Sequence, residues 1–396
     1  MGMVLGLVLV DAADEWFSYL PASAAPQIRV DLGLSYAQLG SLLVLLPAGG
    51  MLGNATLVAA DFVSRRVIAA SGALVYAGCL AAFALGDSFA VLAVASLVWG
   101  AASDAFVHGA GLALADLAGD DLDAILAGKD LMGSLGTIAS PLCVAIAASA
   151  GIGWRPLFGA AAVVMVLFGV WLAFQPLPAP ASGGHTPWTA IRGTLRDRRV
   201  WRMTVVLLLW DTIEAPFLGL AAASLVATQG YSAGAAALLI GTWTLGATLG
   251  FAVTTVWPPH GEATMRRAAT LRCAAMAAMA IAGTPAVVGA AAFVVGLSGA
   301  RFWVPYQSAV LRLRPDQRGT TWAVIAGLSI PGLAIPPLLG ALADQHGSQV
   351  GLFVFALMPA LTLVVLLTPV VPRLPTWLSS RCSSDTSVGR SRRPTS

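Results

Sequence analysis

Apolar stretches of membrane-crossing length follow one another along almost the whole chain, separated by short polar connections. A helix needs about 20 mostly apolar residues to cross a bilayer. The pattern therefore predicts twelve transmembrane helices. Their expected ranges are 4–27, 37–60, 67–86, 89–115, 130–152, 155–176, 202–228, 233–257, 267–284, 286–311, 319–342 and 350–371.

Two longer polar stretches interrupt this pattern. Residues 177–199 are rich in Pro, Gly and Arg, and residues 373–396 are rich in Ser, Arg and Thr. The first stretch predicts a cytoplasmic linker between two six-helix bundles, residues 1–176 and 200–372. The second predicts a disordered cytoplasmic tail, because it has too few apolar residues to pack.

Composition agrees with an all-α membrane protein. Of the 396 residues 58% are hydrophobic and only 10% are charged, whereas soluble domains carry roughly 25% charged residues. The net charge of +3 says little about nucleic acid, but no basic stripe interleaved with aromatics appears, so nucleic acid is not an expected partner. The four cysteines are scattered, so no disulfide framework, metal site or cofactor is expected.

The basic residues predict the orientation in the membrane. With the N-terminus inside, 19 Lys and Arg residues fall in cytoplasmic segments, and only Arg29 and Arg155 fall in outer loops. This bias follows the positive-inside rule and places both termini in the cytoplasm of a bacterial inner membrane. The N-terminal stretch lacks the basic start of a signal peptide and contains acids, so we expect it to be retained as the first span.

Ionisable side chains well away from the span ends fall in every third span. Charges in hydrocarbon are costly and usually face a bundle interior or a wet cavity. The first, fourth, seventh and tenth spans should therefore line a cavity for a polar or charged species. The residues concerned are Asp11, Asp14 and Glu15, then Asp104 and His108, then Asp211 and Glu214, and finally Arg301.

The two predicted halves also resemble each other. Residues 9–17 read LVDAADEWF and residues 209–217 read LWDTIEAPF. At an offset of 196, Gly100 aligns with Gly296 and Phe106 with Phe302. These matches indicate a duplicated six-helix unit, and transporters with such repeats bind their substrate near mid-membrane between the repeats.

The segment LVAADFVSRR, residues 57–66, resembles the G-x-L-A-D-x-x-G-R-R signature of the major facilitator superfamily, with Leu57 and Ser64 in place of its glycines. The run GWRPLF at residues 153–158 also resembles that family. The segment GAASDAFVH, residues 100–108, is faintly similar to fosmidomycin-resistance-type exporters. The resemblance implies the superfamily fold and a gating loop of Asp61, Arg65 and Arg66; a solvated basic loop is the alternative.

Crowded acids in a poorly hydrated cleft cannot all remain ionised, so some should exchange protons. Asp14 and Glu214 are the favoured proton-coupling sites, with Asp104 third. Arg301 is expected to pair with an acid such as Glu214, where it would either contact substrate or hold the halves together. His108 fits a relay beside Asp104, a substrate contact or a helix–helix hydrogen bond better than a metal site.

Aromatic residues accompany the predicted cavity helices and suit an organic cation, although packing or interfacial positions are the alternative for each. The residues predicted to bind substrate are Asp11, Glu15, Trp16, His108, Trp210, Asp211, Arg301, Trp303 and Tyr306. In contrast, Lys129 and Asp130 suggest an interfacial ion pair. The acidic turn of Asp116, Asp120, Asp121 and Asp123 suggests a solvated surface.

These features predict a monomeric secondary carrier that exports a small organic solute in exchange for protons. The alternatives are uptake of a polar nutrient or metabolite and a non-transporting sensor. An intramembrane enzyme is disfavoured because the sequence has no H-E-x-x-H, G-x-S-x-G, P-loop or dinucleotide motif.

Overall fold

The computed structural model describes residues 2–180, 186–210, 221, 233–258, 261–282 and 284–368, and these residues fold mainly into α-helices. The first half contains α1 (Gly2–Ser18), α2 (Leu20–Ser23), α3 (Ala25–Asp31), α4 (Tyr36–Ala59), α5 (Arg65–Leu85), α6 (Phe89–Ala118), α7 (Leu122–Ser149) and α8 (Trp154–Ala173).

A short helix, α9 (Pro187–Leu195), leads into the second half. There the helices are α10 (Arg198–Trp210), α11 (Ala233–Val256), α12 (Gly261–Ile281), α13 (Pro285–Leu313), α14 (Arg318–Ser329), α15 (Ile335–His346) and α16 (Ser348–Leu367). The predicted seventh span continues past Trp210 into residues that lie outside the described ranges.

Five segments of the described chain are long and apolar enough to cross a membrane. They are Ser41–Ala59, Arg65–Leu85, Phe89–Ser149 (α6 and α7 together), Trp154–Ala173 and Pro285–Leu313. Their positions agree with the predicted spans.

Two predicted spans differ from the observed helices. The first span is broken after Ser18, and Pro21 and Pro26 lie in the first turns of the short helices α2 and α3, because proline has no N–H and cannot continue a helix interior. Helix α7, which corresponds to the fifth predicted span, begins at Leu122. This is eight residues before the expected position 130. The first part of α7 carries Asp123 and Lys129, and two charged residues within eight interrupt an otherwise apolar stretch, so the hydropathy pattern places the start of the span after them.

Matched glycines set the packing of the two halves. A Cβ on Gly100 would lie 2.0 Å from the Leu46 carbonyl oxygen of α4, and one on Gly296 would lie 2.1 Å from the Trp243 carbonyl oxygen of α11. Both positions therefore require glycine for backbone contact between helices. These are the residues that align in the predicted repeat, so α4–α6 and α11–α13 are packed in the same way.

Within the described residues the halves meet mainly along two helix pairs, and α7 also contacts α13. Helix α7 packs against α11, and α4 packs against α14. One apolar cluster contains residues from both halves. It packs Leu57, Leu112 and Leu122 of the first half against Val304 and Leu311 of the second. The charged side chains of α1, α6 and α7 lie beside this seam.

Candidate functional site

Two adjoining cavities lie between the halves. The first, which we call the aromatic chamber, has a volume of about 500 Å³. The second, the acid pocket, has a volume of about 320 Å³. Glu15 and Trp303 line both cavities. Both volumes lie in the range of small-molecule sites.

The acid pocket brings together the predicted acids of the first and fourth spans. Asp11, Asp14 and Glu15 of α1 line it together with Asp104 and His108 of α6. These side chains are three or four residues apart on their helices, so they share one helical face. The structure thus places this part of the predicted site in one cavity.

Neighbouring hydroxyl groups hold two of these carboxylates in place. Ser103 of α6 donates a hydrogen bond to Asp14 Oδ1 at 2.6 Å. Thr137 of α7 donates one to Glu15 Oε2 at 3.2 Å. In contrast, His108 Nδ1 is 4.0 Å from Asp104 Oδ2 and makes no hydrogen bond within the described part of the chain. The two hydroxyls fix α1 against both α6 and α7.

Glycines opposite the acids make room for their carboxylates. A Cβ on Gly133 of α7 would lie 2.6 Å from Asp11 Oδ2, and a Cβ on Gly53 of α4 would lie 2.5 Å from the Asp104 Cβ. These distances are far below van der Waals contact. The helices can therefore close around the acids only because these two positions have no side chain.

Lys129 and Asp130 form an ion pair as predicted, but both line this pocket and are not peripheral to the site. Lys129 Nζ lies 2.9 Å from Asp11 Oδ1 and 3.3 Å from Asp130 Oδ1, and its side chain is 14% exposed. Because α7 begins at Leu122, Lys129 lies two turns inside the helix. The hydropathy pattern missed this register, and no other sequence signal pointed to the lysine.

Asp130 also connects the two halves. Its second oxygen accepts a hydrogen bond from the Gln307 side-chain amide of α13 at 2.8 Å. Gln307 is only 7% exposed. No sequence pattern identified this glutamine, because its role depends on the approach of α7 and α13.

Among the described residues, the aromatic chamber is lined by one carboxylate, that of Glu15, and by several rings. The rings come mainly from the second half and include Trp243 and Phe251 of α11, Trp303 of α13 and Trp210 of α10. Tyr19 lies at the first-half side together with Ser134 and Thr137 of α7. The chamber can therefore hold the apolar or aromatic part of a small molecule close to the Glu15 carboxylate.

Trp210 cannot offer a ring face to a substrate. Its ring stacks on Phe302 with a centroid distance of 3.5 Å, and the Arg272 guanidinium lies 4.2 Å from the same ring centroid. At these distances the two groups must occupy opposite faces. The predicted Trp210 contact with a cation is thus made within the protein, and only the ring edge is left for the chamber.

Three other predicted substrate residues lie elsewhere. Trp16 stacks on Phe17 and packs against the first-half core. Tyr306 is fully buried and donates to the Met203 carbonyl oxygen at 3.0 Å. Arg301 donates to the Trp257 carbonyl oxygen at 3.1 Å and lines a small separate cavity.

The position of Arg301 has a simple geometric reason. It is two residues from Trp303, which is about 200° around a helix, so the two side chains cannot both face the central cavities. The expectation that Arg301 lines the cavity is therefore corrected. Its proposed partner Glu214 lies outside the described residues, as does Asp211.

The predicted gating loop lies where α4 meets α14. Asp61 accepts the backbone N–H groups of Gly319 at 3.0 Å and Thr320 at 2.6 Å. Arg65 is buried, donates to the Leu112 carbonyl oxygen at 2.7 Å and pairs with Asp116. Arg66 is exposed.

The sequence predicts that the acidic turn is a solvated surface, and for Asp116 and Asp123 this prediction is wrong. Asp116 lies between Arg65 and Arg318, and Arg318 donates to its Oδ1 at 2.7 Å. Asp123 is buried, with Arg312 4.0 Å from its Oδ2. Both acids face basic residues of the second half, so charge links the halves here. Asp120 and Asp121 are exposed as predicted.

Comparison with solved structures identifies similar folds. The chain superimposes on a variant of the E. coli fucose:proton symporter FucP with a TM-score of 0.76 at 15% identity, covering 92% of this chain and 97% of that chain. The human organic anion transporter MFSD10 (TETRAN) gives a TM-score of 0.71 at 19% identity with the same coverage. FucP in the outward conformation gives 0.66 at 15% identity, again with the same coverage.

The search of curated protein sequences gave no significant match. The family model for the Major Facilitator Superfamily matches residues 5–329, which is most of the chain. The fold, the paired helix packing and this match agree. The protein therefore belongs to the Major Facilitator Superfamily of membrane transporters and is not an enzyme.

Proposed function

We propose that this transporter exports a small organic cation in exchange for protons. The observation that carries the proposal is the convergence of acids from α1, α6 and α7 on a cavity that adjoins an aromatic chamber. The acids supply proton-binding groups, and the chamber supplies a space large enough for the apolar part of a small organic molecule. Both lie beside the seam between the halves, where alternating access would expose them in turn.

The proton-binding part is assigned to Asp14 and Asp104, with Glu214 as the predicted counterpart in the second half. Of the residues that the structure describes, five carboxylates and one lysine line the acid pocket. Like charges at short range disfavour one another, so protonation of some relieves the repulsion. A cation entering the chamber would relieve the same repulsion, and proton and substrate would therefore compete.

The substrate-binding part is assigned to Glu15, Trp243 and Trp303. A carboxylate and indole rings together favour a cation over a neutral or anionic molecule of the same shape. The carboxylate comes from the first half and the rings from the second. A bound cation would thus draw the halves together.

The remaining assignments concern the membrane. We place the protein in a bacterial inner membrane with both termini in the cytoplasm, and we treat residues 1–176 and 200–372 as the two bundles that rock around the site. The contacts of Asp61 and Asp116 with α14 would then close the cytoplasmic end. Their release would open the cavities to the cytoplasm.

Binding of two isosteric ions tests the substrate assignment. Purified protein is dialysed against tetraphenylphosphonium, a cation, or tetraphenylborate, an anion of the same shape. We expect saturable binding of the cation alone, with proton release recorded by a dye in weak buffer. Glu15→Gln should weaken binding about tenfold or more, equivalent to ~1.4 kcal/mol, and Trp303→Leu about 3- to 30-fold.

Matched controls are available on the protein surface. Asp87 is exposed and Trp188 is 70% exposed, so Asp87→Asn and Trp188→Leu should bind as the wild type does. Preferential binding of the borate, or cation binding that Glu15→Gln leaves unchanged, would contradict the substrate assignment.

Proteoliposomes test the coupling and its direction. An imposed pH gradient should drive cation movement opposite to proton flow, and Asp14→Asn should abolish this response. Movement in the same direction as protons would support uptake instead. Binding without any flux would support a sensor.

A further inference from the structure

The chain contains a single lysine, Lys129, and it is enclosed by the acid pocket. Its Nζ lies 2.9 Å from Asp11 Oδ1 of α1 and 3.3 Å from Asp130 Oδ1 on its own helix. An ammonium group has three donors, so it can hold both carboxylates at once. Lys129 is therefore a resident cation in the pocket that adjoins the proposed cation-binding chamber.

Asp130 is shared between this lysine and the opposite half. One carboxylate oxygen faces Lys129, and the other accepts the Gln307 amide at 2.8 Å. Residues 130 and 307 lie in different halves, 177 positions apart. A change in the Lys129–Asp130 contact therefore acts directly on a bond between the halves.

Other titratable groups face the same space. Asp14 and Glu15 line it from α1, and Asp104 and His108 line it from α6. Protonation or cation binding at the α1 acids lowers the negative charge that attracts Lys129 toward α1. Asp130, on the other side of the lysine, still attracts the ammonium group. The lysine is therefore drawn less toward Asp11 and more toward Asp130.

We propose that Lys129 couples the charge state of the acid pocket to the contact between the halves through Asp130 and Gln307. When the α1 acids are neutralised, Lys129 moves from Asp11 toward Asp130 and offsets more of that carboxylate's negative charge, so its other oxygen becomes a weaker acceptor for Gln307. The hydrogen bond between Asp130 and Gln307 then weakens, and the halves separate where α7 meets α13. This inference rests on the proposed function, because it requires that protons or cations bind to the α1 acids.

Because the chain has one lysine, amine labelling reports its exposure directly. Wild-type protein is treated with a water-soluble amine reagent at fixed pH, with and without tetraphenylphosphonium. Mass spectrometry of the Lys129 peptide gives the labelling rate, and the N-terminal amine is the internal reference. We expect labelling of Lys129 to rise several-fold with the cation, because opening at this end admits the reagent.

Two substitutions separate coupling from a structural role. Gln307→Leu leaves the lysine and its acids in place but removes the bond between the halves, and Lys129→Gln removes the resident charge. Each variant should still bind tetraphenylphosphonium, but cation flux should respond at least tenfold less to an imposed pH gradient and its pH profile should flatten. Lys129→Arg should restore part of the response, and exposed Gln345→Leu should behave as the wild type does.

The outcomes distinguish this inference from the proposed function. If wild-type flux follows the pH gradient but both variants keep the wild-type response, the coupling role of Lys129 is wrong and the proposed function stands. Unchanged Lys129 labelling on cation binding would also overturn the role. If wild-type flux ignores the gradient and no protons are released on binding, the proposed function itself fails.

Discussion

The Asp61 carboxylate and the Gly319 backbone N–H are 3.0 Å apart, although 258 residues separate them in the chain. The same carboxylate accepts the Thr320 N–H, so it caps the first turn of α14, which begins at Arg318. A negative charge at a helix N-terminus is favoured by the helix dipole. One side chain of the first half thus holds the start of a helix of the second.

Asp61→Asn should weaken this contact, because an amide has only one acceptor oxygen and no charge. We expect a loss of ~1–3 kcal/mol at this contact, seen as a lower transport rate and a lower melting temperature. Asp120→Asn removes an exposed acid near the same end and serves as the control. Equal rates for Asp61→Asn and the wild type would show that this contact does not limit transport.

Gly319→Ala should force α4 and α14 apart. A Cβ at this position would lie 2.1 Å from the Leu57 carbonyl oxygen, whereas a Cβ on Gly128 of α7 would meet nothing within 4 Å. Gly319→Ala is therefore expected to lower the melting temperature and slow transport, and Gly128→Ala to be neutral. Similar behaviour of the two variants would contradict the close approach of these helices.

Arg202→Lys should destabilise the second half. The Arg202 guanidinium binds both Glu262 carboxylate oxygens, at 2.6 and 2.9 Å, and also donates to the Val365 and Leu366 carbonyl oxygens. Lysine cannot reproduce this forked geometry. We expect a loss of ~1.5–3 kcal/mol, measured as a lower melting temperature, whereas exposed Arg192→Lys should have no effect.

Asp197→Ala should loosen the start of α10. The Asp197 carboxylate accepts the Arg199 backbone N–H at 2.9 Å, which is the geometry of a helix N-cap. Loss of such a cap costs about 1 kcal/mol, so the melting temperature should fall. The melting temperature of Asp197→Asn, which keeps an acceptor oxygen, should fall less. Equal falls in melting temperature for the two variants would exclude capping as the cause.

The same residue predicts a pH dependence. Hydrogen bonds from Arg199 hold the pKa of Asp197 below its ordinary value. Because the folded-state pKa is the lower one, the stabilisation is present above the unfolded value of about 3.9 and is lost as the pH falls through the folded value. The difference in melting temperature between wild type and Asp197→Ala should therefore shrink below about pH 4.

The sequence alone identifies the acids of the first and fourth spans as cavity residues. Asp14 and Asp104 lie in apolar stretches where a charge has only one acceptable environment, a shared polar void. This constraint holds however the helices are rotated, so hydropathy alone predicts it. Gly100 and Gly296 also stood out, because duplication preserves the positions where backbones touch.

The partners of those acids could not be predicted in the same way. Lys129 entered the pocket because α7 starts earlier than the hydropathy pattern suggests, and Gln307 reached Asp130 because two distant helices meet. Arg301 faced away because Trp303 took the cavity side of α13. Helix start and rotation depend on contacts with neighbouring helices.

Sequence alone thus determined that the chain crosses a membrane, that it is built from a repeat and that α1 and α6 carry buried charge, since each follows from the cost of placing polar groups in lipid. Tertiary structure decided which charges meet, which rings line the cavity and which residues join the halves. Those outcomes depend on distances of a few ångströms between segments far apart in the chain, and no local pattern encodes such distances.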